Sequence, residues 1–196
     1  MERRDHGQIP TVDEAVRARR STRSYADRDV PDALIGEILD LARHAPSSMG
    51  LDPWCFVVVR SPETRGRLAA LKNDYCLPEK RADYPADFVA EAPVVVAVCV
   101  DRERSAQRPL ENGVLAAAFL LLAAQARGLG GVYMTAYHPE DPGLAEAIRS
   151  TLRLPAHVEP VALLPLGFPA ERQAPRQRGP LAQHVYHEAF GNPAPA

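Results

Sequence analysis

The sequence has few of the features that would place it in a membrane, outside the cell or in a disulfide-rich class. Its three cysteines, Cys55, Cys76 and Cys99, are odd in number and form no CxxC pair, which argues against a disulfide framework. The longest apolar run, Val114–Ala124, has eleven residues, whereas a membrane-spanning helix needs about 20. Residues 1–10 are polar and lack the apolar segment of a secretory signal. We therefore expect a cytoplasmic protein.

The common short motifs of nucleotide and ester chemistry are also missing. The chain contains no GxxxxGK(S/T) loop and no GxSxG turn. The GLGG run at 128–131 follows a predicted helix and lacks the third glycine of a dinucleotide-binding fingerprint. The six histidines do not combine with cysteines or carboxylates at ligand spacing, so we expect no metal site. A formal charge of -2 argues against general electrostatic binding of nucleic acid.

Positive charge comes almost entirely from arginine, because Lys72 and Lys80 are the only lysines among 23 basic residues. A coding bias explains most of the scattered arginines, but two local groups contain several arginines close together. These groups are Arg17, Arg19, Arg20 and Arg23 near the N-terminus, and Arg172, Arg176 and Arg178 near the C-terminus. A near-neutral chain with two local cationic segments indicates a small anionic ligand rather than a charged polymer.

Apolar periodicity, capping residues and turn residues predict alternating helices and strands. The predicted helices are 11–21, 31–46, 62–72, 109–127 and 142–152, and the predicted strands are 54–59, 94–100, 132–137 and 158–166. Residues 73–92 fit neither pattern, and we interpret them as a flap over a site. The alternation predicts an α+β sandwich in a single domain, 1–196, with a polar tail at 1–10 and a C-terminal arm at 169–196. The arm closes with a short segment at 181–190.

The helix that contains Val114–Ala124 is apolar on every side. Such a helix is buried all round. In a chain of 196 residues, one of its faces is expected to be covered by a second subunit.

Two segments carry the polar groups of a candidate binding site. RRSTRSY (19–25) places arginine forks and a serine at a helix end, an arrangement suited to phosphate or carboxylate, although a solvated helix end explains it equally well. PRQR (175–178) is a second cationic segment that an extended arm could bring beside the first. PSSMGLDPW (46–54) holds two hydroxyls and several backbone N–H groups, which suit a polar planar ligand, unless it only ends a helix and starts a strand.

In order and spacing, these segments resemble the flavin-dependent nitroreductase family over residues 12–180. The resemblance rests on RRSTR, on APSSMGLDPWCFVVV (45–59), on the long apolar helix that ends in GLG, on PVALLPLGFP (160–169) and on the basic arm. It implies a nitroreductase-like α/β/α sandwich with a mostly antiparallel central sheet. It also implies a homodimer with FMN at the subunit interface, and NADH or NADPH as the electron donor.

The resemblance further assigns the cofactor-binding residues. By match to the family motifs they are Arg19, Arg20, Ser21, Arg23, Pro46, Ser47, Ser48, Asn73, Met134, Thr135, Ala136, Arg176 and Arg178. The two basic segments would hold the FMN phosphate and the pyrimidine edge, residues 46–48 would come from the partner chain, and 133–136 would bring backbone N–H groups to flavin N5. Arg23 would tune the reduced flavin. No protein nucleophile is expected, and the kinetics would be ping-pong.

The chain departs from the family pattern PSSxNxQPW at Gly50 and Asp52. An aspartate that faced the flavin would oppose its anionic reduced form, whereas one that faced solvent would have no effect. The resemblance therefore favours an NAD(P)H oxidoreductase that reduces nitroaromatics, quinones or another small acceptor. It leaves open a flavin-cleaving, dehalogenating or oxidase-type enzyme of the same fold, and a non-catalytic flavin-binding module.

Overall fold

The computed structural model describes residues 9–75, 85–138, 141–171, 173–174 and 176–192. The helices are α1 (Val12–Ala18), α2 (Asp32–Ala42), α3 (Pro62–Asp74), α4 (Phe88–Glu91), α5 (Pro109–Ala126) and α6 (Gly143–Leu152). The strands are β1 (Trp54–Val59), β2 (Val94–Asp101), β3 (Gly130–Gly131), β4 (Met134–Thr135) and β5 (Val158–Gly167). Two short 3₁₀ turns, Ser48–Gly50 and Leu181–Gln183, complete these elements.

The described strands form one antiparallel sheet in the order β1, β2, β5, β3, with β4 also paired to β5. β5 contains two prolines, which cannot donate to a strand ladder. Pro160 lies where the pairing of β2 with β5 shifts register. Pro165 lies between the residues of β5 that pair with β3 and those that pair with β4. The sheet thus places both prolines at interruptions of its ladders.

Hydrophobic side chains fill both faces of the sheet. On one face, residues of α2 and α5 pack against alternate residues of β2 and β5. On the other face, residues of α3, α4 and α6 pack against the remaining residues of the same strands. The predicted α+β sandwich with a mostly antiparallel sheet is therefore confirmed.

The first helix is shorter than its sequence predicts. Its N-terminus is the predicted one, because the Thr11 hydroxyl accepts a hydrogen bond from the Glu14 N–H while the Glu14 carboxylate accepts one from the Thr11 N–H. The helix ends at Ala18 rather than near Ser21, and Arg19 is already extended. Ser21 instead forms a parallel bridge with Gly131, so a long-range pairing replaces the last predicted turn.

Two other predicted segments differ from the structure. The strand expected at 132–137 is reduced to the two residues of β4, because Val132 and Tyr133 lie outside the ladder, while β3 lies before the expected start. Residues 73–92 are not a flap as a whole: α3 extends to Asp74, and α4 buries Val89 against the α3 side of the sheet. Residues 76–84, which include Cys76 and most of the predicted flap, lie outside the described residues.

α5 combines a buried face with an exposed apolar face. Its inner residues pack on the sheet, while Leu110, Val114, Leu115 and Phe119 are each 38–40% exposed. By length and composition alone, the helix is also apolar enough to cross a membrane. Its contacts with α2, β2 and β5 instead make it the central helix of one core layer.

Candidate functional site

The segment that carries Arg19–Arg23 is fixed to the sheet by the GLGG run. The Thr22 N–H donates to the Gly131 carbonyl at 3.1 Å, beside the bridge between Ser21 and Gly131. A Cβ at Gly130 would overlap the Thr22 side chain, and one at Gly131 would lie 2.5 Å from Leu166 Cδ2. Gly130 therefore allows the close approach of the arginine segment, and Gly131 allows close packing on β5. These two contacts explain a glycine run that does not fit a dinucleotide fingerprint.

The two basic segments meet in the structure. The Arg20 Nε atom donates to the Ala174 carbonyl at 2.8 Å, which fastens the C-terminal arm beside α1. The pKa of Arg20 is lowered, first by burial and then by the positive charges of Arg178, Arg176 and Arg19. We call these four residues the arginine cluster. Arg172, the remaining arginine of the second segment, lies outside the described residues.

The arginine cluster lacks a neutralising partner among the described residues. No carboxylate within that part of the chain forms a salt bridge with Arg19, Arg20, Arg176 or Arg178. The Arg20 Nη2 atom is buried and has no hydrogen-bond acceptor. Unpaired guanidinium groups that repel one another favour binding of an anion, and their planar forks match phosphate oxygens.

The described surface has cavities of about 500, 430 and 320 Å³. The smallest of these three adjoins the segment that carries Arg19–Arg23. Its lining residues are Arg23, Lys72, Phe88, Val132, Tyr133, Met134 and Thr135. The Arg23 guanidinium carbon lies 5.8 Å from the centre of the Phe88 ring. Burial raises the pKa of Tyr133 to about 12, so this phenol stays protonated at neutral pH. We call this space the Arg23 pocket.

The backbone of β4 presents one side to β5 and the other to the Arg23 pocket. The Ala136 N–H donates to the Val161 carbonyl at 3.0 Å, and the Ala136 side chain is buried. The Thr135 carbonyl accepts a hydrogen bond from Lys72 Nζ at 2.8 Å. Because consecutive residues of a strand direct their N–H groups to opposite sides, the Thr135 N–H points away from β5. Of the candidates at 134–136, Thr135 therefore presents a backbone donor to the pocket, whereas the N–H of Ala136 is already paired.

Asn73 lies apart from the residues that line the Arg23 pocket. Its Oδ1 atom accepts from the Ala86 N–H at 2.7 Å, and its Nδ2 atom donates to Asp87 Oδ1 at 2.8 Å. These hydrogen bonds hold the start of the segment that leads into α4. Asn73 thus has an anchoring contact within the chain, and its assignment to the pyrimidine edge of the flavin stays a prediction.

The loop that contains Pro46, Ser47 and Ser48 packs against the start of α5 rather than against the arginine cluster of the same chain. The Ser48 N–H donates to Asn112 Oδ1 at 2.9 Å, and the buried Asn112 donates in turn to the Ser105 carbonyl at 3.1 Å. Pro46 is exposed. The structure therefore places this predicted site element on the same helix that exposes an apolar face.

Asp52 closes this loop on itself. The Ser47 hydroxyl donates to Asp52 Oδ1 at 2.9 Å, and the Asp52 N–H donates to Ser47 Oγ at 3.1 Å. Met49, Gly50 and Asp52 all have positive φ angles, of 57°, 64° and 46°. Glycine and aspartate tolerate this conformation better than most residues, which suits them to positions 50 and 52. The Asp52 side chain thus shapes the loop within its own chain.

Comparison with known proteins decides the family. The model of the nitroreductase family matches residues 16–168. The chain belongs to the nitroreductase family. An NADH dehydrogenase of Thermus thermophilus is 33% identical, over 90% of this chain and 97% of that protein. An iodotyrosine deiodinase of Thermotoga neapolitana is 32% identical, over 67% of this chain and 74% of that protein.

A solved structure shows the same fold. The FMN-dependent nitroreductase of Clostridium difficile superimposes with a TM-score of 0.77 at 24% identity, over 90% of this chain and 98% of the other. The predicted family and sandwich fold are confirmed. The prediction of an oxidoreductase enzyme that uses FMN and NAD(P)H is confirmed at the level of the family.

Sequence reasoning missed several residues of the Arg23 pocket. Lys72 was assigned only as a helix end, although it is one of two lysines in an arginine-rich chain. Phe88 lay in the segment that fits no periodicity, and α4, which carries it, is only four residues long. The rarity of lysine was the available signal for Lys72, while Phe88 offered none.

Proposed function

We propose that this nitroreductase-family chain is an FMN-dependent oxidoreductase that takes electrons from NADH or NADPH and reduces a nitroaromatic, a quinone or another small acceptor. One observation carries the proposal: the arginine cluster, which pairs with no described carboxylate, shares the segment 19–23 with Arg23, and Arg23 lines a cavity of about 320 Å³. The cluster suits a phosphate, and the cavity suits the edge of a planar ring. A phosphorylated flavin has both parts in one molecule.

The arginine cluster would hold the phosphate of FMN. Its Arg20 Nη2 atom is buried and lacks an acceptor, which is the condition that a phosphate oxygen would satisfy. Arg176 and Arg178 approach Arg20 from the C-terminal arm. The hydrogen bond from Arg20 to Ala174 keeps that arm in place, so the cluster is assembled before the ligand arrives. Ser21, which is exposed beside it, would add a hydroxyl.

The Arg23 pocket would hold an edge of the isoalloxazine ring. When bound, FMN supplies hydride acceptance and donation at this ring. Arg23 and Lys72 give the pocket a positive side, which stabilises negative charge on a reduced ligand. The Thr135 N–H would donate to the ring. The side chain of Met134, which also lines the pocket, would pack beside it.

We further propose that the active form is a homodimer. The apolar residues on the outer face of α5 would be covered by a second copy. Because Ser48 is tied to α5 through Asn112, a partner that covers this helix also receives Pro46, Ser47 and Ser48 at its surface. Each cofactor site would then combine one chain's arginine cluster with the other chain's loop.

The pairing of Asp52 with Ser47 bears on the departure from the family pattern. Asp52 holds the loop through its own side chain, so its carboxylate is already engaged in this chain. This contact favours a protein that keeps its cofactor and has a changed set of polar groups beside the substrate. It argues against a loss of catalysis. It supports an enzyme over a non-catalytic flavin-binding module.

Anaerobic titration of the FMN-loaded protein with NADH and with NADPH tests this function. We expect one of the two to bleach the visible flavin band within the time of mixing and to identify the donor. Screening nitroaromatic and quinone acceptors against the reduced protein then defines the substrate class. A flavin band that persists with both donors would contradict the proposed oxidoreductase and favour the binding module.

Reductive dehalogenation is a second candidate function. It is favoured by the 32% identity with the Thermotoga neapolitana iodotyrosine deiodinase. The assay is iodide release from iodotyrosine by protein reduced with dithionite, compared with reoxidation by a nitroaromatic in the same preparation. Release of iodide faster than nitro reduction would replace the leading function, whereas no iodide would remove the alternative.

A further inference from the structure

Two cysteines face each other across the outer pair of described strands. β1 and β2 are antiparallel, and their register places Cys55 directly opposite Cys99. Residues opposite each other in such a pair have Cα atoms about 4.5–5.5 Å apart and side chains on the same face of the sheet. A disulfide needs a Cα separation of about 4.4–6.8 Å. The strand register alone therefore brings the Cα atoms of Cys55 and Cys99 within the range that a disulfide spans.

The two thiols differ in exposure and acidity. Cys99 is fully buried on the α3 side of the sheet, whereas Cys55 is half-buried on the outer strand of the described sheet. A hydrogen bond between the thiols lowers the pKa of Cys55 and, together with burial, raises the pKa of Cys99. Cys55 is thus both the more accessible sulfur and the more readily ionised one, and Cys99 is its proton-donating neighbour.

We propose that Cys55 and Cys99 form a modification site at which a hydroperoxide converts the two thiols into a disulfide across β1 and β2. The proposal rests on the strand register and on the unequal burial of the two sulfurs. It does not depend on the proposed function, because neither cysteine belongs to the arginine cluster or to the Arg23 pocket.

The reaction has two balanced steps. The Cys55 thiolate attacks one peroxide oxygen, the O–O bond breaks, and the leaving oxygen departs as water after protonation, which leaves a sulfenic acid on Cys55. The Cys99 sulfur then attacks the Cys55 sulfur, an S–S bond forms, the S–O bond breaks, and the released hydroxide takes the Cys99 proton. In total, two thiols and one hydrogen peroxide become one disulfide and two waters, with the two electrons passing from the thiols to the peroxide. A dithiol reductant reverses the modification by exchange.

The test exposes the purified full-length protein to graded hydrogen peroxide, then denatures it and alkylates the remaining thiols. We expect one of the three cysteines to stay alkylatable and the other two to be protected until dithiothreitol is added. Peptide mapping should join Cys55 to Cys99. The variant Cys76→Ser should give the same crosslink, because Cys76 has no part in the proposal.

Variants at each position sharpen the result. Cys55→Ser should abolish protection of Cys99, whereas Cys99→Val should leave Cys55 as a sulfenic acid that dimedone traps. Since Cys99 is buried, the crosslink in the wild-type chain is the deciding measurement and does not require the variant to fold. Three outcomes would overturn the proposal: a crosslink that joins Cys76, oxidation of Cys55 to sulfinic acid without a crosslink, or full alkylation of both cysteines after treatment.

Discussion

Arginines of two kinds occupy different regions of this protein, and their partners distinguish them. Outside the arginine cluster, several arginines are paired with carboxylates: Arg60 with Asp32 at 2.7 Å, Arg67 with Glu63 at 2.6 Å, and Arg127 with Glu37 at 3.0 Å. In the arginine cluster, guanidinium groups lie near one another, and no described carboxylate pairs with them. Paired arginines stabilise the folded chain, whereas under the proposed function the cluster keeps its charges for a ligand that neutralises them.

The largest expected effect comes from removing two cluster charges while keeping the Arg20 anchor. The double variant Arg19→Ala with Arg176→Ala should weaken FMN binding by about 100-fold or more, because each charge-assisted hydrogen bond contributes about 1.5–3 kcal/mol. The protein should purify colourless yet remain folded, in the same oligomeric state as the wild-type protein. Titration of the flavin-free protein with FMN, followed by quenching of flavin fluorescence, measures the dissociation constant.

A matched control removes the same number of charges from the other kind of arginine. Arg43 and Arg67 form exposed pairs with Asp40 and Glu63. The double variant Arg43→Ala with Arg67→Ala should change FMN affinity by less than about twofold, since exposed ion pairs contribute little and lie outside the site. Equal losses in the two double variants would show that net charge, and not the cluster, controls binding.

Removing a paired arginine and removing a cluster arginine should have different, smaller effects on the melting temperature. Arg127 is only 16% exposed in its side chain and pairs with Glu37, so Arg127→Ala should lower the melting temperature of the flavin-free protein by about 2–4 °C. Arg178→Ala should leave it unchanged or raise it slightly, because it relieves repulsion on Arg20. Scanning calorimetry of both variants checks this. A destabilised Arg178→Ala would mean that the cluster is structural.

Added phosphate should also distinguish the cluster arginines from the paired arginines, through a still smaller change in melting temperature. An anion that binds only the folded state stabilises it by about 0.4 kcal/mol when its concentration equals its dissociation constant. Inorganic phosphate should therefore raise the melting temperature of the flavin-free wild-type protein more than chloride does at equal ionic strength. The shift should vanish in the Arg19→Ala, Arg176→Ala variant and persist in the Arg43→Ala, Arg67→Ala control. A shift that survives in both would be a general salt effect.

Local sequence signals predicted elements better than they predicted contacts. The bounds of β1 follow from a β-branched run between Pro53 and a capped helix, and the structure reproduces them to the residue. The end of α1 could not be predicted in this way, because Ser21 pairs with Gly131, more than a hundred positions away. A long-range strand pairing of this kind overrides local helix propensity.

In the candidate site, too, the sequence predicted local segments but not the contacts between them. The sequence identified both basic segments and their residue types, but their meeting depends on a hydrogen bond between Arg20 and Ala174 that local pattern cannot reveal. The contact of Asp52 with Ser47 could not be predicted, because it depends on positive φ angles at three of the four residues 49–52. The family resemblance supplied candidate residues, and the fold decided which of them have free donors.

The smallest expected effect concerns acid. The pKa of Asp40 is lowered from its ordinary value of 3.8, first by the hydrogen bond from Arg43 and then by the Arg43 charge. A carboxylate whose pKa is lower in the folded state stabilises the fold above the unfolded pKa, and this contribution is lost as pH falls through the folded value. Between neutral pH and pH below 3.8, wild-type protein should therefore lose slightly more stability than Asp40→Asn. Arg178→Ala should not change the acid dependence, because the described part of the chain gives Arg178 no carboxylate partner to protonate. Urea midpoints at the two pH values measure both differences, and an altered acid dependence in Arg178→Ala would place a hidden carboxylate in the arginine cluster.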